Sequence, residues 1–206
     1  LAQTDDEVLF GIEGTPGIND AGTVAFKGRI DDSVRVFTGN GGDLTTIAAV
    51  GSDGIADIGN RFPIDNSGNV AFVATLDNEQ RAIFRGDEES LTQIATTSGR
   101  LVDLFDPAMS GNGNVAFAGL FSDLTDGTSI RLFTRSGSTS VLVPGTDTPN
   151  GYTNIGIHPS VNDANVVAFV GTLRAVIDDQ VTFVRGIHSV DPNGDRFIEA
   201  SDVEVA

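Results

Sequence analysis

The residues best placed for chemistry lie near the end of the chain, in Asp191-Pro192-Asn193-Gly194-Asp195-Arg196-Phe197-Ile198-Glu199-Ala200-Ser201-Asp202. Asp191, Asn193 and Asp195 stand at alternate positions, so a tight turn brings their oxygens together. A hard cation such as calcium takes closely spaced oxygens of this kind, a backbone carbonyl included. The Phe197 carbonyl would join at position 7, and Asp202 would close the shell at position 12. Glu199, at position 9, offers a shorter closure within a hairpin. Two residues work against the metal. Arg196 puts a positive charge where the sharp turn prefers glycine, and Asp202 is shorter than a bidentate glutamate. Without a metal the same residues make an ordinary hairpin turn. The sequence thus nominates Asp191, Asn193, Asp195, Phe197, Glu199 and Asp202 as calcium ligands, and a hairpin in either case.

Other reactive residues are sparse. His158 and His188 are the only histidines, each at a predicted strand end, and both read as structural or surface groups. There is no G-x-S-x-G elbow to seat a nucleophilic serine. Asp31-Asp32, Asp87-Glu88-Glu89 and Asp178-Asp179 fall in predicted turns, where solvated carboxylates are ordinary. Asp5-Asp6-Glu7 reads as a frayed terminus. A glycosidase needs paired carboxylates, and acidic residues are plentiful. Sugar sites also stack on broad aromatic faces, yet the chain has no tryptophan and only Tyr152. No catalytic residue is nominated.

These residues sit on a chain of 206, with a formal charge of −17, one lysine (Lys27) and eleven arginines. Such a surface repels phosphate backbones, so nucleic acid is not an expected partner. There is no cysteine, which excludes disulfides and thiolate chemistry. No apolar run approaches the roughly 18–20 residues of a membrane span, so membrane insertion of this segment is not expected. The opening Leu1-Ala2-Gln3 would suit the end of a removed leader.

One element recurs through the chain. Gly22-Thr23-Val24-Ala25-Phe26, Gly68-Asn69-Val70-Ala71-Phe72, Gly113-Asn114-Val115-Ala116-Phe117 and Asn165-Val166-Val167-Ala168-Phe169 are four copies. Their period near fifty residues is that of a stacked array or a propeller. Asn19, Asp65, Ser110 and Asn162 open the turn before each copy, and their side chains can accept bonds from nearby amides. Gly22, Gly68, Gly113 and Asn165 follow three residues later. Asparagine is the best substitute for glycine at positive φ, so the exchange marks a left-handed position. Pro16, Pro107 and Pro159 precede the turn.

Short runs of β-branched and aromatic residues between Gly/Asn/Asp/Ser clusters predict consecutive antiparallel hairpins. The second copy expects strands at 69–76, 81–85, 91–97 and 101–105, and no segment holds a helical period. Phe37, Phe84, Phe133 and Phe183 are read as one repeated position on the second strand, with core as its use.

Four-stranded units of this length predict a four-bladed β-propeller. The units run approximately over 19–65, 66–109, 110–161 and 162–206, in a single domain of residues 1–206. The last unit is short of a strand, while Val8 to Ile12 has no unit of its own. The expectation is that residues 8–12 complete the last blade, in the same molecule or in a neighbouring copy.

The four copies resemble a bacterial tandem-repeat family written N-x-x-G-x-V-A-F. Residues 19–26 match in full, residues 65–72 and 110–117 vary the first position, and residues 162–169 replace the glycine by Asn165. The resemblance implies an exported or surface protein, propeller-like, and carries no catalytic residues. The spacing over residues 191–202 separately resembles EF-hand and dockerin loops, and its shorter closure the hairpin loops of integrin-type propellers. The reading is a non-enzymatic extracellular or cell-surface module, structural or adhesive. It would self-associate through strand edges, with calcium stiffening the last hairpin. The alternative is a carbohydrate- or ligand-binding propeller, with polysaccharide or protein as partner, using the loops at residues 121–127 and 174–180. A calcium-dependent hydrolase comes third.

Overall fold

The computed structural model describes residues 9–122, 128–133, 139–143, 152–177, 180–191 and 196–205. Among them there is no helix, and the strands form four antiparallel sheets. The first sheet is β1 (Leu9–Ile18), β2 (Val24–Ile30), β3 (Ser33–Gly39) and β4 (Thr45–Ala49), in that order. The second is β5 (Ile55–Ile58), β6 (Val70–Leu76), β7 (Arg81–Gly86) and β8 (Leu91–Thr96). In the third, β9 (Leu101–Leu104) and β10 (Ala108–Met109) both pair with β11 (Val115–Phe121), followed by β12 (Thr128–Phe133) and β13 (Thr139–Val143). In the fourth, β14 (Tyr152–Ile155) and β15 (Ser160–Val161) pair with β16 (Val167–Ile177), followed by β17 (Gln180–Val190) and β18 (Arg196–Val205).

The N-terminal strand does not complete the last sheet. It pairs with β2, with Leu9 opposite Ile30 and Ile18 opposite Val24. The repeat is framed one strand earlier than the Val-Ala-Phe motif suggests. Each sheet opens with the strand that precedes the turn, so residues 56–58 open the second sheet rather than close the first. The fourth sheet then fills its places from residues 152–205 and needs no strand from elsewhere.

The opening strand of each sheet carries an irregularity. Four residues separate Glu13 from Gly17, while two separate their partners Lys27 and Ala25. Six separate Ile58 from Ile64, against four between Ala74 and Val70. Five separate Ile155 from Ser160, against three between Gly171 and Ala168. Two extra residues are thus accommodated each time. Pro16, Pro63 and Pro159 fall in or beside these bulges, where a missing N–H costs no ladder bond. A one-residue bulge recurs between the last two strands of every sheet, at Val36/Phe37, Ile83/Phe84, Ile130/Arg131 and Ile187/His188.

That register corrects the second repeated aromatic. Phe37 and Phe84 lie opposite Phe26 and Phe72, with ring centroids 5.7 Å apart in both pairs. In the third sheet Arg131 faces Phe117, and Phe133 faces Val115. In the fourth His188 faces Phe169, and Phe183 faces Arg174. Hairpin length shifts the phenylalanines of the last two copies away from the slot.

The chain divides into two compact units, Leu1–Thr97 with Met109–Gly113, and Ser98–Ala108 with Asn114–Ala206. In the first, Val36, Ile47 and Ala48 pack with Ile55, Phe62, Phe72 and Phe84 in one core. In the second, Ala116 and Ala118 pack with Tyr152, Ile155, Val167, Phe169 and Val190. Burial of each large side chain contributes about 1.5–3 kcal/mol. Gly171 is shaped by this packing, since a Cβ there would come within 2.8 Å of the Tyr152 ring.

Candidate functional site

The four turns are built as their residue types dictate. Asn19 Oδ1 accepts bonds from the amides of Ala21 (3.1 Å) and Thr23 (2.9 Å). Asp65 Oδ1 accepts from Ser67 (2.9 Å) and Asn69 (2.8 Å). Asn162 Oδ1 accepts from Val166 (3.0 Å). The amides of Gly22, Gly68, Gly113 and Asn165 each donate to the carbonyl three residues back, at 3.0–3.1 Å. Their φ values are 79°, 91°, 89° and 65°. The left-handed position inferred from the Gly-to-Asn exchange is present in all four.

Turns also bond to one another at the repeat period. Asn19 Nδ2 donates to the Asp65 carbonyl at 3.0 Å. Asn66 Nδ2 donates to Asp20 Oδ2 at 2.7 Å, and the Asn66 amide donates to the Gly111 carbonyl at 2.8 Å. In the second unit Asn114 Nδ2 donates to Asn165 Oδ1.

Beside the second turn lies a cleft of about 340 Å³. One wall is the cross-strand pair Thr38 and Thr45, with buried Ile47 beside it. The facing wall is Ser67-Gly68 and the hairpin Asp87-Glu88-Glu89 between β7 and β8. Asp87 Oδ1 accepts from the amides of Glu89 (3.0 Å) and Ser90 (3.1 Å), so this carboxylate shapes the hairpin. Glu88 and Glu89 are exposed. The lining offers hydroxyls, which donate and accept, and carboxylates, which accept only. Among the described residues no arginine or lysine lines it. Chemically, the cleft suits a ligand rich in hydrogen-bond donors. Sequence reasoning placed Asp87-Glu88-Glu89 in a turn and gave them no ligand. Thr38 and Thr45 carried no signal, because only the β3–β4 register pairs them, and Ser67 carried none, because it reaches the opening from the turn before β6 in another sheet. A second groove, of about 230 Å³, lies where Pro16, Ile18, Arg61, Pro63 and Met109 approach.

The nominated calcium ligands are placed only in part. Asp191 directly follows β17 as a half-buried residue, while Asn193 and Asp195 lie outside the described residues. The backbone of Phe197, Glu199 and Asp202 lies in β18; their side chains are outside the described residues. Phe197 faces Ser189, Asp202 faces Arg185, and Glu199 is the extra residue of the bulge. The expected hairpin is therefore present as β17–β18. Among the described residues no three acidic or histidine side chains gather as a metal site. Of the loops named for the alternative reading, residues 123–127 and 178–179 lie outside the described residues, as do Asp5, Asp6 and Glu7.

His158 is exposed. His188 is buried, edge-on to Tyr152 with centroids 4.9 Å apart and stacked on Phe169 at 5.9 Å. Its Nε2 lies 3.2 Å from the Gly171 carbonyl. It fills an aromatic slot in the core, in keeping with a structural histidine.

A family assignment follows from comparison over residues 2–198. The chain belongs to a family of unknown function, DUF7453. No curated protein is significantly similar to this DUF7453 member in sequence. Among solved structures it is similar to oligogalacturonate lyase from Vibrio parahaemolyticus, with a TM-score of 0.54 at 13% identity, covering 97% of this chain and 68% of that one. It is also similar to an oligogalacturonate lyase in complex with manganese, with a TM-score of 0.52 at 14% identity, covering 93% and 66%. The chain thus spans about two thirds of the length of these structures. At such identity the likeness is one of fold.

Proposed function

We propose that the chain is a ligand-binding module whose four sheets are the blades of a propeller, acting outside the cell or on its surface. Its site is the cleft of Thr38, Thr45, Ser67, Asp87, Glu88 and Glu89, and its ligand is a neutral, hydroxyl-rich chain such as a polysaccharide. The observation that carries the reading is the lining itself. Hydroxyls and carboxylates converge there, and among the described residues no cation lines the cleft to balance them, so donors are favoured and anions repelled. A fold shared with lyases of an acidic oligosaccharide supports the carbohydrate class. The uncompensated carboxylates argue against an acidic sugar as the direct ligand. Binding without catalysis is the simpler role, because Asp87 is already committed to the hairpin amides.

This reading is preferred to assembly through strand edges. The Thr15 amide donates to the Asn60 carbonyl at 2.6 Å, and the Phe62 amide donates back to the Thr15 carbonyl at 3.3 Å. The outer side of β1 is thereby occupied at its middle, where an added strand would need it.

The test is calorimetric titration with a panel of neutral and uronic polysaccharides. Neutral chains are expected to bind, and Glu88→Gln with Glu89→Gln to weaken them several-fold. Silence across the neutral panel, or binding unaltered in the double variant, overturns the site. Electron microscopy of the particle tests the blade arrangement, and an extended row of sheets would refute the ring.

A further inference from the structure

The chain's single lysine is a buried residue of the first sheet. Lys27 directly follows Phe26 on β2, in the slot held by Val73, Ala118 and Val170 in the other copies. Val73 and Ala118 are buried and Val170 is exposed, while Lys27 is only 6% exposed. Its Nζ lies 2.6 Å from Asn60 Oδ1 and 3.3 Å from the Ile58 carbonyl. Glu13, opposite Lys27 in the β1–β2 ladder, brings Oε2 to 3.6 Å from the same nitrogen. An amine, a carboxamide and a carboxylate are thus held together: the amine and the carboxylate come from neighbouring strands of the first sheet, and the carboxamide from the segment that follows β5.

We propose that Lys27 and Asn60 join in an intramolecular isopeptide bond, with Glu13 carrying the protons. The Lys27 ammonium gives one proton to the Glu13 carboxylate. The freed lone pair on Nζ attacks Cγ of Asn60, and the carbonyl electron pair moves onto Oδ1. Collapse of the tetrahedral intermediate restores the carbonyl and breaks the Cγ–Nδ2 bond. The departing nitrogen takes the proton held by Glu13 and a second one released from Nζ, and leaves as ammonium. One ammonium and one carboxamide become one secondary amide and one ammonium, so atoms and charge balance without oxidant or cofactor. The driving contribution is positional: reactants fixed in contact need no encounter, which removes much of the barrier to an otherwise slow exchange. The product would tie β2 to the segment following β5 across 33 residues of sequence. This inference is independent of what the cleft binds.

Intact mass spectrometry of the folded full chain tests it. The expected mass is lower than that of the sequence by one ammonia. After cleavage at arginine, residues 1–29 are expected as a branched species with residues 36–61. Lys27→Arg and Asn60→Ala are expected to show the full sequence mass, with circular dichroism confirming that they fold. Glu13→Gln is expected to fold and to remain uncrosslinked. A folded wild-type chain at full mass overturns the bond. So does a mass deficit that survives Lys27→Arg, because ammonia would then be leaving elsewhere. A crosslink formed unchanged in Glu13→Gln overturns the role of Glu13.

Discussion

Asp65 Oδ2 lies 3.2 Å from Arg85 Nη2, and the carboxylate has no exposed surface. The two residues are matched within the repeat. The turn position holds Asn19, Ser110 and Asn162 in the other copies, and the place of Arg85 holds Thr38, Leu132 and Ser189. A buried acid therefore occurs only in the copy that supplies the arginine. Gly113 leaves room for the pair, since a Cβ there would come within 2.7 Å of both charged groups.

Removing one partner strands the other in a dry site. Asp65→Asn is expected to cost about 3 kcal/mol, although asparagine can still close the turn. Asp65→Asn with Arg85→Thr recreates the pairing of the first copy and is expected to recover most of that loss. Urea unfolding of the four proteins in a double-mutant cycle checks it, with a coupling near zero as the contrary result.

The turn glycines make a cleaner prediction. A Cβ on Gly68 would meet nothing within 4 Å, yet φ is 91°. Gly68→Ala is expected to cost about 1–2 kcal/mol from backbone conformation alone. Gly68→Asn is expected to cost less, because Asn165 already holds this position at φ 65°. Thermal melts of the two variants rank them.

His188 occupies the slot of Phe37 and Phe84, between Tyr152 and Phe169. His188→Phe keeps a ring in the slot but is larger and leaves the Gly171 carbonyl without its ring partner, and is expected to cost about 1–3 kcal/mol. His188→Ala is expected to cost about 3 kcal/mol through the cavity it opens. Gly171→Ala forces a Cβ against the Tyr152 ring and is expected to cost about 1–3 kcal/mol. Denaturant midpoints measure all three.

Calcium at residues 191–202 is a proposal with a direct readout. Melting in millimolar calcium is expected at a higher temperature than melting in chelator, because a ligand bound only by the native state adds to its stability. Asp191→Asn is expected to remove the difference. Coincident midpoints for the parent protein would dismiss the metal.

Much of the fold was legible because the repeat states it four times. The side-chain cap at Asn19, Asp65 and Asn162 and the left-handed position at Asn165 follow from local chemistry, and local chemistry is what a sequence displays. The frame of the repeat was not legible. Val-Ala-Phe is the loudest element, but the strand before the turn pairs with it, and that strand is bulged, broken by proline and variable. The swap of Phe for His188 in the paired slot was hidden for a related reason: hairpin length sets register, and register is invisible to motif alignment. The cleft is a product of two sheets, so Thr38 and Thr45 carry no mark of it. Lys27 did carry one. A lone lysine in a position otherwise held by Val and Ala is a signal that composition reports and periodicity sharpens.

The turn-to-turn bonds, from Asn19 to Asp65 in the first unit and from Asn114 to Asn165 in the second, fix the spacing between copies within each unit at one end of the strands. Length varies at the other end, where two residues join β2 to β3 and six join β11 to β12. Each copy is thereby a ruler with a free margin. Foreign peptides grafted into the β2–β3 or β6–β7 connection are expected to be displayed without disturbing the ruled edge, which makes the chain a ready scaffold for presenting sequence.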